Sequence, residues 1–94
     1  MSEKLISITE LSQILGMNRC VLDTHLGRFS KYMVQKNYRY MYKYNYYFLT
    51  DLREFYRDKL KKHNGRYVKN FYKVVYKLNK LIEEMWKKVN AESE

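Results

Sequence analysis

The chain has 94 residues, with 19 Lys and Arg against 10 Asp and Glu for a formal charge of +9, and a pI near 9.6. That length suits one modest core, and three glycines with no proline favour long helices over a many-stranded sandwich. One cysteine excludes an internal disulfide and fits a reducing cytosol, and no apolar run approaches a membrane span.

The opening MSEKLISITE lacks the apolar core of a signal peptide. A cytoplasmic chain is therefore expected, nucleoid-associated if bacterial or in the host cytoplasm if phage-encoded. A basic excess on so small a domain calls for a polyanionic partner, nucleic acid before anionic membrane. AT-rich coding is an alternative source of the Lys, Asn and Tyr content.

Leu5 and Ile6 are expected to pack on the helix after them, and Ser7 with Glu10 has capping-box spacing. Ile8, Leu11, Ile14 and Leu15 recur at helical spacing. Gly16 then ends that helix in a left-handed turn. Asn18 is an N-cap for a second helix, Arg19 to Leu26, whose stripe is Val21, Leu22 and Leu26 and whose stop is Gly27. Helix, glycine turn and capped helix in under twenty residues is helix-turn-helix spacing. Phe29 and Tyr32 should anchor the exit segment to the core.

From Tyr38 the period changes. Tyr38, Tyr40, Tyr42, Tyr44 and Tyr46 alternate with Arg39, Met41, Lys43 and Asn45, which is a strand signal. The length requires a hairpin, expected to turn near Lys43 to Asn45 with Asn45 at positive φ. Thr50 is the expected cap of a third helix, Asp51 to Lys62, with Leu52, Phe55, Tyr56 and Leu60 on its buried face. His63-Asn64-Gly65 ends it, dividing a domain at 1–64 from a long helical segment at 65–94.

Residues 66–90 contain no breaker. Read as heptads, Val68, Val75, Ile82 and Val89 take the a positions and Phe71, Leu78 and Met85 the d positions, chemistry suited to a two-stranded coiled coil. Lys73, Lys80 and Lys87 fall at f and should face water. Tyr72, Val74, Leu81 and Trp86 widen the stripe, so the same helix suits packing on the chain's own core, a homodimer, or both.

Ile8, Leu11, Ser12, Leu15, Gly16, Met17 and Leu22 stand where helix-turn-helix proteins of the MerR and excisionase-like superfamily carry matching residue types. Ser12 takes the place of the family's alanine at the close helix crossing. NYRYMYKYNYYFLTDLREF then resembles that family's two-stranded wing followed by a capped helix. The resemblance spans roughly residues 7–60. It implies a mostly α fold: a winged helix-turn-helix with a two-stranded β wing, followed here by the long C-terminal helix. Asp23-Thr24-His25 stands where MerR-type regulators commonly have Arg-Tyr-Tyr, which favours the broader excisionase-like grouping.

For base reading, the second helix should present Asn18, Arg19, Cys20, Asp23 and Thr24. Arginine pairs bidentately with guanine and asparagine with adenine, and Arg19 lies in the helix turn that enters the major groove. Asp23 repels phosphate unless it accepts from cytosine or restrains Arg19. Between Thr24 and Thr50 there is no acid, and Arg28, Lys31, Lys36, Arg39, Lys43 and Tyr44 are the expected backbone-contacting set. A second acid-free stretch, Lys59 to Lys80, reads chiefly as a solvated helix face. Lys61, Lys62 and Arg66 at the helix junction are open for DNA contact.

Enzyme chemistry finds no motif. Cys20, His25 and His63 do not make a metal site without carboxylates, no glycine-rich phosphate loop is present, and neither a cofactor nor a small-molecule substrate is expected. His25 reads as a core or interface histidine. The expected function is sequence-specific double-stranded DNA binding by a small dimeric transcriptional regulator or recombination or architectural factor. Three alternatives stay open: a protein-interaction module, a phage DNA-packaging role of the small-terminase kind, and single-stranded nucleic-acid binding.

Overall fold

The computed structural model describes the backbone of residues 4–62 and 68–93 and the side chains of 4–62 and 70–88. It is mostly helical, with a small three-stranded antiparallel sheet and a long C-terminal helix. In chain order come β1 (Leu5–Ser7), α1 (Ile8–Leu15), α2 (Arg19–Leu26), a 3₁₀ segment (Gly27–Tyr32), β2 (Met33–Lys36), β3 (Arg39–Lys43), α3 (Tyr46–Lys62) and α4 (Val68–Ser93). Two compact units, Met1–Phe48 and Leu49–Glu94, divide the chain inside α3.

In the first unit the helix pair follows its sequence signals closely. The Ser7 hydroxyl accepts from the Glu10 N–H at 3.1 Å and caps α1. Gly16 ends it at φ 66, with Gly16 N–H donating to the Gln13 carbonyl and Met17 N–H to that of Ser12 at 2.9 Å. These bonds form a Schellman closure, which needs a left-handed residue. Ser12 is buried, and its hydroxyl donates to the Thr9 carbonyl at 2.7 Å. A larger side chain there would meet the packing around it.

The apolar stripes are narrower than expected. Leu11, Leu15, Leu22 and Leu26 are buried, whereas Ile14 and Val21 are exposed. Each exposed residue directly precedes a buried leucine, and one residue is about 100° around a helix. Gly27 has a right-handed φ of −55, and a Cβ there would meet nothing within 4 Å. So α2 ends at Leu26 by passing into the 3₁₀ segment, not by a glycine stop.

The expected hairpin is corrected in two ways. Its turn lies at Asn37 and Tyr38, both at positive φ, between β2 and β3, which pair from Met33↔Tyr42 to Lys36↔Arg39. Leu5 and Ile6 belong to a third strand, β1, which pairs with β3 as Leu5↔Lys43, Ile6↔Tyr42 and Ser7↔Met41. The strand order β1-β3-β2 makes β3 the central strand. Period-2 spacing locates a strand but not its turn, and here it ran on past the real strand end.

Asn45 shows why. Its side-chain oxygen accepts from the Phe48 N–H at 2.8 Å, so Asn45, not Thr50, caps the third helix, and α3 begins at Tyr46. The earlier start places Phe48 in the first turn. Fully buried, Phe48 meets Phe29 edge-on at 6.1 Å, Tyr32 at 5.3 Å and Tyr42 in a stack at 5.9 Å. This aromatic cluster fastens the 3₁₀ segment and the central strand to the start of α3. Phe29 and Tyr32 anchor the exit segment as expected.

The second unit is a helix pair. Leu49, Leu52 and Tyr56 of α3 and Val74, Val75, Leu78 and Ile82 of α4 are buried. Phe55 and Leu60, expected on the buried face of α3, are only half-buried. Tyr56 packs on Phe71 at 5.8 Å, and Arg53 donates to the Asn79 side-chain oxygen at 2.9 Å. Of the heptad seam, Val75, Leu78 and Ile82 are already buried within the single chain, and Phe71 and Met85 are half-buried. Val68 and Val89 lie outside the described side chains, as do Arg66 and the break at His63-Asn64-Gly65. Lys73, Lys80 and Lys87 face water as expected.

Candidate nucleic-acid interface

The α2 N-terminus is set by Asn18, whose Oδ1 accepts from Cys20 N–H at 2.9 Å and from Val21 N–H at 3.4 Å. These are two of the donors that a helix start leaves unsatisfied. The cap has a cost for base reading. Bidentate pairing with adenine needs the amide oxygen as well as the nitrogen, and here the oxygen holds the helix. Thr24 is similarly engaged, its hydroxyl donating to the Cys20 carbonyl at 3.0 Å. Of the five expected reading residues, Arg19, Cys20 and Asp23 keep exposed side chains without such a bond to the helix.

Arg19 and Asp23 are one helical turn apart and line one cleft of about 720 Å³. Its other walls are the start of α1, Ser7 to Glu10, and the central strand from Arg39 to Tyr42. The structure thus brings an α2 arginine and a hairpin arginine to the same opening, with Tyr40 exposed beside them. Among the described residues no ion pair joins Arg19 to Asp23, so the restraint considered for Arg19 is not formed. Glu10 and Asp23 balance the two arginines, giving the cleft both donors and acceptors rather than a purely cationic floor.

Asp23 has one clear electrostatic effect. Burial holds the Tyr42 hydroxyl above its ordinary pKa, and the Asp23 carboxylate raises it further by opposing a second negative charge. Tyr42 therefore remains a neutral donor at physiological pH. It is also a core residue, paired with Ile6 across the sheet and stacked on Phe48.

The expected backbone-contacting residues divide by position. Lys36 and Arg39 pair across the base of the turn and are exposed. Arg28 and Lys31 are exposed on the 3₁₀ segment, with the Lys31 ammonium 5.1 Å from the Tyr32 ring centroid. Lys43 and Tyr44 were expected in the turn but sit at the opposite end of β3, both half-buried. Tyr44 N–H donates to the Lys4 carbonyl at 2.8 Å, and the Lys4 ammonium lies 5.1 Å from the Tyr44 ring centroid. Those two residues belong to the sheet's base.

Sequence reasoning missed the tip itself. Asn37 and Tyr38 occupy the turn, and Tyr38 is 98% exposed. The signal was Asn37, a residue that tolerates left-handed backbone, but Asn45 offered the same signal.

Searches against family models, curated proteins and solved structures return no match. Among the described residues no cluster of His, Cys, Asp and Glu is placed to hold a metal, and no helix is long and apolar enough to cross a membrane.

Proposed function

We propose that the chain binds double-stranded DNA as a winged helix-turn-helix, with α2 as the reading helix and the β2–β3 hairpin as the wing. The observation that carries this is the shared cleft, where Arg19 and Asp23 from the first turns of α2 face Arg39 and Tyr40 of the hairpin. A helix N-terminus with an exposed arginine is suited to guanine edges in the major groove. Beside it, a hairpin with no acid from His25 to Leu49 offers cations to phosphates. Arg19 and Asp23 select, and Lys36, Arg39, Arg28 and Lys31 supply sequence-independent attraction.

The biological setting proposed is a small regulator or recombination or architectural factor. A homodimer belongs to the proposal because paired reading helices match two-fold sites. Its contact is not the middle of the heptad seam, since Val75, Leu78 and Ile82 are occupied within the chain. Sedimentation of the complex gives the number of chains per duplex, and a single chain per site removes the dimer from the proposal.

Titration of a labelled duplex at rising salt tests the central reading. With six or more phosphates neutralised, affinity falls by about three orders of magnitude between roughly 50 and 200 mM salt. Absence of binding at low salt overturns it.

A further inference from the structure

The hairpin tip places two consecutive residues in the left-handed region, Asn37 at φ 51 and Tyr38 at φ 65. Asparagine tolerates this backbone. Tyrosine adopts it only at a cost, because its Cβ crowds the following carbonyl, and the second position of such a two-residue turn ordinarily takes glycine. Among the described residues no packing of the side chain compensates. The Tyr38 ring is 98% exposed, whereas Tyr42 in the adjoining strand is 5% exposed. The chain thus holds a strained backbone and a hydrated aromatic ring at one position, with Lys36 and Arg39 immediately beside it. Strain that a fold does not use for packing gathers where a partner is met.

We propose that Tyr38 is a stacking wedge, its ring inserted at a duplex step and laid against a partly unstacked base while Lys36 and Arg39 hold the flanking phosphates. This rests on the reading that the chain binds duplex DNA. An aromatic ring stacks on any base face, so the contact tolerates sequence. It is favoured where unstacking is cheap, at pyrimidine–purine steps or beside an unpaired nucleotide. Stacking does not use the hydroxyl, so phenylalanine can replace tyrosine. A short two-residue turn also fixes the ring's origin more tightly than a long loop, which limits the ordering cost of insertion.

The test compares Kd for two labelled duplexes of one sequence, one fully paired and one with a single central unpaired nucleotide. Wild-type protein should bind the bulged duplex about tenfold tighter, and Y38F should keep that preference. Y38G should bind both duplexes alike while melting at the same or a higher temperature, because glycine accepts φ 65 without strain. Y38N, also tolerant of the turn, should repeat the loss. Equal binding of the two duplexes by wild type, or a preference that survives in Y38G, overturns the wedge and leaves duplex binding standing. If wild type binds neither duplex at low salt, both the wedge and the reading beneath it fall.

Discussion

The two units carry similar kinds of residues and use them differently. In Leu49–Glu94 several basic side chains stand beside acids at helical spacing. Arg57 lies 3.7 Å from Glu54, Lys62 lies 3.4 Å from Asp58, and Lys87 lies 3.2 Å from Glu83. All are well exposed, and such pairs contribute little to stability. In Met1–Phe48 the cations of the hairpin have no acid nearby in sequence, and tight turns place them. Net charge alone therefore does not identify a binding surface. What distinguishes the first unit is charge concentrated beside a cleft and fixed by backbone geometry.

The largest effect expected comes from removing the hub of the first unit. Phe48→Ala should cost about 3–5 kcal/mol by chemical denaturation, because three aromatic partners lose their common contact. A loss under about 1 kcal/mol would show that the aromatic cluster does not hold that unit together.

The comparison is sharpened most by arginine and lysine substitutions measured on duplex DNA. Arg19→Ala should weaken the preferred sequence by about 1–3 kcal/mol and relax its selectivity, whereas Arg39→Ala should weaken all sequences alike and reduce the salt slope by about one. Lys73→Ala should change neither. Should Lys73→Ala weaken binding as much as Arg39→Ala, the contrast between the units fails.

Asn18→Ala tests the dual demand on the cap. Losing it should lower stability by about 1 kcal/mol, visible as a reduced melting temperature. Gly at the same position should cost only a few tenths of that unit.

The smallest effect is confined to alkaline pH. Burial raises the hydroxyl pKa of Tyr56 well above the ordinary 10.0, and that of Tyr42 is raised by burial and by Asp23. A proton held more tightly in the folded chain than in the unfolded one gives stability that is complete below pH 10. That stability is lost as pH rises through the raised values. Denaturation midpoints should be flat around neutrality and fall above pH 10, and Tyr56→Phe should flatten that fall. An unchanged alkaline slope in the variant would assign it to other groups.

The local sequence determined the helix pair. Ser7, Gly16 and Asn18 act through bonds to backbone atoms within a few residues, so their roles need no distant partner. The exit aromatics and the uninterrupted α4 were legible for the same reason, since periodicity reports which side of an element is apolar. Tertiary structure decided what that apolar side meets. Pairing with β1 made β3 central, moved the turn to Asn37-Tyr38, and left Asn45 to start α3 three residues before Phe48. Two asparagines carried the same local preference, and only cross-strand register could choose between them. Likewise, the heptad pattern specified a seam on α4 without specifying what would cover it, and packing within the chain took Val75, Leu78 and Ile82. Arg19 and Arg39 lie twenty positions apart in the sequence. Their common cleft exists because the sheet folds β3 back beside the first turns of α2, a juxtaposition that local patterns do not encode.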